Sequence, residues 1–143
     1  MTPKDLLLAV LGSSDGQMVE GRTRFMKLIF LLEEEAEELN VDYRFRPHEH
    51  GPFSKKVLDD LEALESKGLV DIDKSSTRSG NVKYNLRLTE MGEKELERLS
   101  DEMGEEEHSD IEDIVEDYGD MPIFVLLDYV YDEYPEASNK SAA

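Results

Sequence analysis

A chain of 143 residues holds one domain with an appendage, long enough for a real core and too short for two full ones. It has no cysteine, which excludes disulfides, zinc–thiolate sites and thiol nucleophiles. The net charge of −19 is unevenly placed: residues 1–100 carry 15 Lys and Arg against 20 Asp and Glu, residues 101–143 one against 15. Read simply, such a surface repels phosphate and excludes nucleic acid. A salt-adapted, halophilic composition is the other reading, favoured by acid scattered through every predicted helix; acidity is then background.

Thr2 and Pro3 ahead of KDLLLAVLG predict an N-cap, a proline at the first helical position, a short apolar helix and a glycine stop at Gly12. Leu6 to Leu11 lacks the basic lead and the cleavage site of a signal peptide, so the expected location is cytoplasmic. Gly12, Gly16 and Gly21 mark a loop in which Met18 and Val19 form a short strand or fold over the core. Thr23 to Leu39, TRFMKLIFLLEEEAEEL, reads as the central helix. Its front half, Phe25 to Leu32, is apolar all round apart from Lys27 and should be buried on nearly every side. Its back half, Glu33 to Glu38, is acidic and should run out into water, with Asn40 as the C-cap. At 17 residues this segment is too short and too charged to span a membrane.

Val41, Tyr43 and Phe45 alternate with Asp42, Arg44 and Arg46, the period of a half-buried strand or extended segment that Pro47 ends. Gly51-Pro52 signals a turn, and Ser54 caps a helix from Lys55 to Lys67 with Val57, Leu58, Leu61 and Leu64 on one face. Gly68 stops it. Leu69 to Asp73 and Val82 to Leu88 read as a hairpin with a long polar tip, Lys74 to Asn81. Thr89 caps a further helix. Asp101 to Asp110 is an acidic connector, Ser109-Asp110 opens a helix with Ile111, Ile114, Val115 and Tyr118 on one side, and Met121-Pro122 starts the last, which Pro135 stops. Residues 137–143 read as a frayed tail.

Helix, helix, extended segment, helix, hairpin, helix is the order of a winged helix-turn-helix. The expected class is therefore α+β, mainly α, with a winged-helix domain over residues 1–100 and added C-terminal helices over 101–143. The last helix is apolar almost all round. It either packs on the domain or meets a second copy through Ile123, Phe124, Leu127, Val130 and Tyr131, making a homodimer.

Three segments carry a resemblance: KLIFLL (Lys27 to Leu32), YRFRPHEHGPFS (Tyr43 to Ser54) and the helix ending in KGLV (Lys67 to Val70). Together they resemble the Panacea/SocA-like and YwgA-like group, in which a Gly-Pro-aromatic-Ser element follows an aromatic extended segment and opens a helix. LDYVYDEYP, Leu127 to Pro135, is similar to the end of some YwgA-like proteins. The resemblance covers roughly residues 4–135 and implies a winged-helix antitoxin, adaptor or regulator that is not an enzyme.

As a DNA reader, the chain would set Ser54, Lys55 and Lys56 in the major groove and rest its hairpin on the backbone or minor groove with Lys74, Ser75, Ser76, Thr77, Arg78 and Lys83. Lys74 to Arg87 holds four cations and no carboxylate. Against DNA stand Asp59, Asp60, Glu62 and Glu65 on the presumed reading helix. The alternative is a non-enzymatic module that binds a partner protein. His48-Glu49-His50 offers two imidazoles and no third ligand, so a turn before Gly51 is the better reading. The acidic runs Glu33 to Glu38 and Glu105 to Glu107 lack the spacing of a calcium loop. No nucleophile elbow, phosphate loop or dinucleotide fingerprint occurs, so neither catalysis, cofactor nor metal is expected.

Overall fold

The structure is a computed structural model that describes residues 1–36, 39–49 and 51–137; Glu37, Glu38, His50 and the tail 138–143 lie outside the described residues. In chain order the elements are α1 (Pro3–Ser13), β1 (Met18–Glu20), α2 (Arg22–Glu35), α3 (Lys55–Ser66), β2 (Val70–Ser76), β3 (Val82–Leu88), α4 (Glu90–Ser100), α5 (Glu105–Tyr118) and α6 (Ile123–Glu133). The class is α+β and mainly helical. The three strands form one antiparallel sheet in the order β1-β3-β2.

Thr2 opens α1 with a capping box: its hydroxyl accepts from the Asp5 N–H while the Asp5 carboxylate accepts from the Thr2 N–H at 2.9 Å. Gly12 does not stop this helix, which continues to Ser13. A Cβ at Gly12 would lie 2.3 Å from Leu96 Cδ2, so the glycine serves the close approach of α4 instead of a helix end.

α2 is enclosed as its sequence demands, with every residue from Phe25 to Leu32 buried, Lys27 included. It is shorter than expected. It ends at Glu35 with Ala36 as the cap, before Asn40 is reached. Buried Ala36 and Leu39 turn the chain back onto the core, and Tyr43 enters it with no exposed surface to speak of. The backbone N–H of Tyr43 donates to the Glu33 carboxylate at 3.0 Å, fastening the extended segment to the end of the helix. That segment belongs to none of the three sheet strands; a bridge joins Arg46 and Phe53, with N–H···O distances of 2.8 and 2.9 Å. His48 C=O accepts from the Gly51 N–H at 3.0 Å, closing the expected turn.

In the sheet, Val19 faces Leu86, and Val70 to Ser76 runs opposite Leu88 to Val82 without a break. The strands reach further than the sequence suggested. Lys74, Ser75 and Ser76 belong to β2, and the tip shrinks to residues 77–81. Cross-strand pairing carries on because Lys74 and Tyr84 are partners with interacting side chains.

The C-terminal helices share the core of the rest. Ile111, Ile114 and Val115 of α5 and Leu126 and Val130 of α6 are buried against α1 and α2. α5 begins at Glu105, a full turn before the expected Ser109, because the Glu107 carboxylate turns back to accept from the Gly104 N–H at 3.1 Å. The Arg24 guanidinium donates to the carbonyls of Gly119 and Met121, holding the α5–α6 corner against α2. Among the described residues no helix is long and apolar enough to cross a membrane.

Candidate nucleic-acid interface

From Asp73 to Val82 every residue of the hairpin is exposed, so its outer half stands clear of the core. The nine residues expected to contact DNA are not one surface. In a strand, side chains alternate between faces. Lys74 and Ser76 therefore lie on the face of Tyr84 and Leu86, whereas Ser75 and Lys83 lie on the other.

Several of the nine are also engaged within the chain. Ser54 is 2% exposed; its hydroxyl donates to the Tyr43 carbonyl at 2.7 Å and accepts from the Val57 N–H, so it caps α3 and cannot reach a groove. Lys56 leans over the Tyr43 ring at 4.8 Å and approaches the Asp60 carboxylate at 3.4 Å. Lys83 pairs with Glu20 at 3.0 Å across the sheet. Ser75 accepts from Asn85, and the Thr77 hydroxyl accepts from the Asn81 N–H at 3.1 Å to close the turn. Lys55, Lys74 and Arg78 remain exposed and in no ion pair with a described residue.

Sequence reasoning missed a cation that the fold adds to this group. Arg22, the first residue of α2, stacks its guanidinium on the Tyr84 ring at 3.7 Å, and the Lys74 ammonium lies 5.6 Å from the centre of the same ring. The available signal was Tyr84 at the wet end of an otherwise aliphatic face. One side of the hairpin thus carries two cations gathered on one aromatic ring, with Arg78 at the tip beyond.

On α3 the acid is partly withdrawn. The Asp60 carboxylate turns inward and accepts from the Tyr43 hydroxyl at 2.8 Å; burial and this bond push the phenol well above its ordinary pKa. Asp59, Glu62 and Glu65 stay exposed. A wider groove of about 720 Å3, between the end of α1, β1 and the end of α5, is walled by Asp15, Glu20, Glu112, Glu116 and Asp120. It would repel a phosphate backbone.

Lys27 was visible in the sequence as the one break in an apolar run, yet its role was not. The side chain is 3% exposed, and its ammonium donates to the Pro52 carbonyl at 3.0 Å; burial brings its pKa down to about 8. Gly51, at φ +96°, lets the turn lie on the lysine stem, since a Cβ there would meet Lys27 Cε at 3.0 Å. No cluster of three or more metal-binding side chains occurs among the described residues.

The expected α6 interface needs one correction. Val130 is 1% exposed within a single chain because it packs on the core, so it cannot face a second copy. Phe124 is 67% exposed and Ile123 borders it, with Leu127 and Tyr131 half-buried alongside. The chain matches no known protein family, and no curated protein matches it.

Proposed function

We propose that this chain is a winged-helix regulator that docks on duplex DNA through its β2–β3 hairpin and the N-terminal ends of α2 and α3, without catalysis. The observation that carries the reading is the hairpin's charge. In a chain of net charge −19, Lys74 to Arg87 has four cations and no acid, and its outer half stands in solvent. The order α1-β1-α2-α3-β2-β3 with sheet order β1-β3-β2 supports the winged-helix assignment. Arg22 and Lys74 around Tyr84 supply a firm phosphate clamp, and Lys55 opens α3 on an exposed surface. With Asp59, Glu62 and Glu65 exposed, α3 touches the duplex by its first turn only.

The resemblance to Panacea/SocA-like and YwgA-like proteins is part of the proposal. Two of its three segments meet in the fold, where Lys27 donates to the Pro52 carbonyl; within the second, Ser54 donates to the Tyr43 carbonyl, and in the third Gly68 follows the end of α3. An antitoxin-like or transcriptional role in a salt-rich cytoplasm fits the acidic remainder.

Fluorescence anisotropy with duplex DNA from upstream of the gene, in a series from low to molar salt, tests the reading. Arg78→Ala and Lys74→Ala each weaken binding and reduce the salt slope by about one. No binding at any salt removes the DNA reading. A partner-protein module is the second reading, favoured by the acid on α3 and by the exposed step Ile123, Phe124 and Val125 on α6. It predicts co-purification with the product of a neighbouring gene. The same step is where a homodimer would form, and light scattering that returns one chain's mass ends that part of the proposal.

A further inference from the structure

Residues of α2 and α3 line an open cleft of about 150 Å3 together with His48, Gly51 and Phe53. Its charged lining is cationic, Arg22 and Lys27 from α2, with no carboxylate among the described residues. Met26, Phe53 and Leu58 form its apolar wall. A patch of this sign is unexpected in so acidic a chain, and the burial of Lys27 makes it costly. An ammonium has three donors, and here one of them meets the Pro52 carbonyl while no other described residue accepts from it. A buried cation with no opposite charge is unfavourable unless something supplies that charge. The Arg22 guanidinium, held by stacking on Tyr84, adds a second cation to the same lining.

We propose that this cleft binds a small monocarboxylate, with its charge on the Lys27 ammonium and its short apolar body against Met26, Phe53 and Leu58. The size follows from the volume, which holds roughly five water-sized groups at ~30 Å3 each. The charge follows from the Lys27 ammonium, which no described carboxylate meets, and a monocarboxylate is favoured over phosphate because Met26, Phe53 and Leu58 leave an apolar wall beside it. The site shares Arg22 with the proposed DNA surface but needs neither Arg78 nor the hairpin tip, so loss of DNA binding in Arg78→Ala leaves it untouched.

The test is an NMR titration of the full chain at neutral pH and low salt, following the methyl groups of Met26 and Leu58 with those of Ile29 as a fold control. The probes are butanoate, butan-1-ol and inorganic phosphate. Butanoate shifts the Met26 and Leu58 signals saturably, and butan-1-ol binds at least about tenfold more weakly because it lacks the charge. Phosphate does not saturate them. Lys27→Met loses at least about tenfold in butanoate affinity. Where Lys27→Met alters the Ile29 signals, Leu58→Trp, which fills the cleft and leaves the lysine in place, must abolish binding instead. The proposal is overturned by butanoate shifts that fail to saturate, by equal affinity for butan-1-ol, by tighter binding of phosphate, or by a folded variant of either kind that binds butanoate like the parent.

Discussion

The front and the back of α2 both carry charge into the protein, and they handle it differently. At the front, Lys27 is nearly sealed, and among the described residues its ammonium donates to one carbonyl, that of Pro52. At the back, Glu33 is half-buried and accepts from the Tyr43 N–H, while exposed Glu35 collects three hydroxyls: Tyr134 at 2.8 Å, Tyr129 at 3.0 Å and Tyr118 at 3.2 Å. Burial moves each end toward its neutral form. Lys27 falls to about 8 and Glu33 rises to about 7, in each case with desolvation as the leading cause. The same physical effect therefore gives opposite pH dependences at two points of one helix. Charge of either sign is tolerated where it ties a later segment to α2: the Gly-Pro turn in front, the extended segment and the C-terminal helices behind.

Apolar packing sets the scale against which these polar ties are judged. Ile29 has no exposed surface and sits between the two ends. Ile29→Ala should cost about 2–5 kcal/mol in urea unfolding, through lost transfer energy and the cavity left behind. A loss under about 1 kcal/mol would mean that the polar ties, and not the enclosed half of α2, hold the fold.

Lys27 comes next. Its folded pKa lies below the unfolded value of 10.5, so the stability linked to it is complete above pH 10.5 and is lost as pH falls through about 8. At ~1.36 kcal/mol per pKa unit the swing is about 3 kcal/mol. The protein should therefore gain stability between pH 8 and 10.5 relative to Lys27→Met, whose difference profile lacks this term. Parallel profiles would show that the ammonium is better solvated than its burial indicates.

Glu33 reverses the sign. Its folded pKa is raised from 4.5, so the linked stability is complete below pH 4.5 and disappears as pH rises through about 7. Because the carboxyl is only half-buried, solvent screening cuts the effect to about 1–2 kcal/mol. Glu33→Gln, which can still accept from the Tyr43 N–H, should stabilise the protein above pH 7 by that amount and leave it unchanged near pH 4. Equal effects at both pH values would assign the gain to something other than charge.

How far these two ends could be read from the sequence also differs. The front half of α2 was legible because an uninterrupted apolar run can only be enclosed, and the caps Thr2, Ser54 and Thr89 marked three helix starts correctly. The back half was not. A run of glutamates reads as a solvated helix face, and nothing local reveals that tyrosines some 80 to 100 residues later will meet Glu35. Distance in sequence also hid the role of Gly12, whose neighbour Leu96 belongs to another helix. At the candidate interface the hairpin and its cations were legible, but the length of β2 and the pairing of Lys83 with Glu20 depend on the strand register. Ser54 was read correctly as a cap and wrongly as a DNA contact: its one donor is spent on the Tyr43 carbonyl, and the residue is 2% exposed, so it has no proton to offer a phosphate.

The smallest effect is expected at the tyrosines that gather on Glu35. The Tyr129 hydroxyl donates to the Glu35 carboxylate and lies 3.0 Å from the Tyr118 hydroxyl, whose single proton is shared between Tyr129 and Glu35, so it links α6 to both α2 and α5. Tyr129→Phe removes that link and leaves Glu35 with two donors, at a cost of about 1 kcal/mol. The carboxylate lies at the surface, where water replaces the lost donor, so no buried orphan raises the figure. The effect should appear more clearly in amide exchange of α6 than in global unfolding, because α6 is held otherwise by Leu126 and Val130 alone among its fully buried side chains. In a Glu35→Gln background, where the acceptor no longer carries charge, the same substitution should cost less. An undiminished cost in that double variant would show that Tyr129 acts through packing against Tyr118, ring centres 5.0 Å apart, and that the charge on Glu35 takes no part in holding the C-terminal helices.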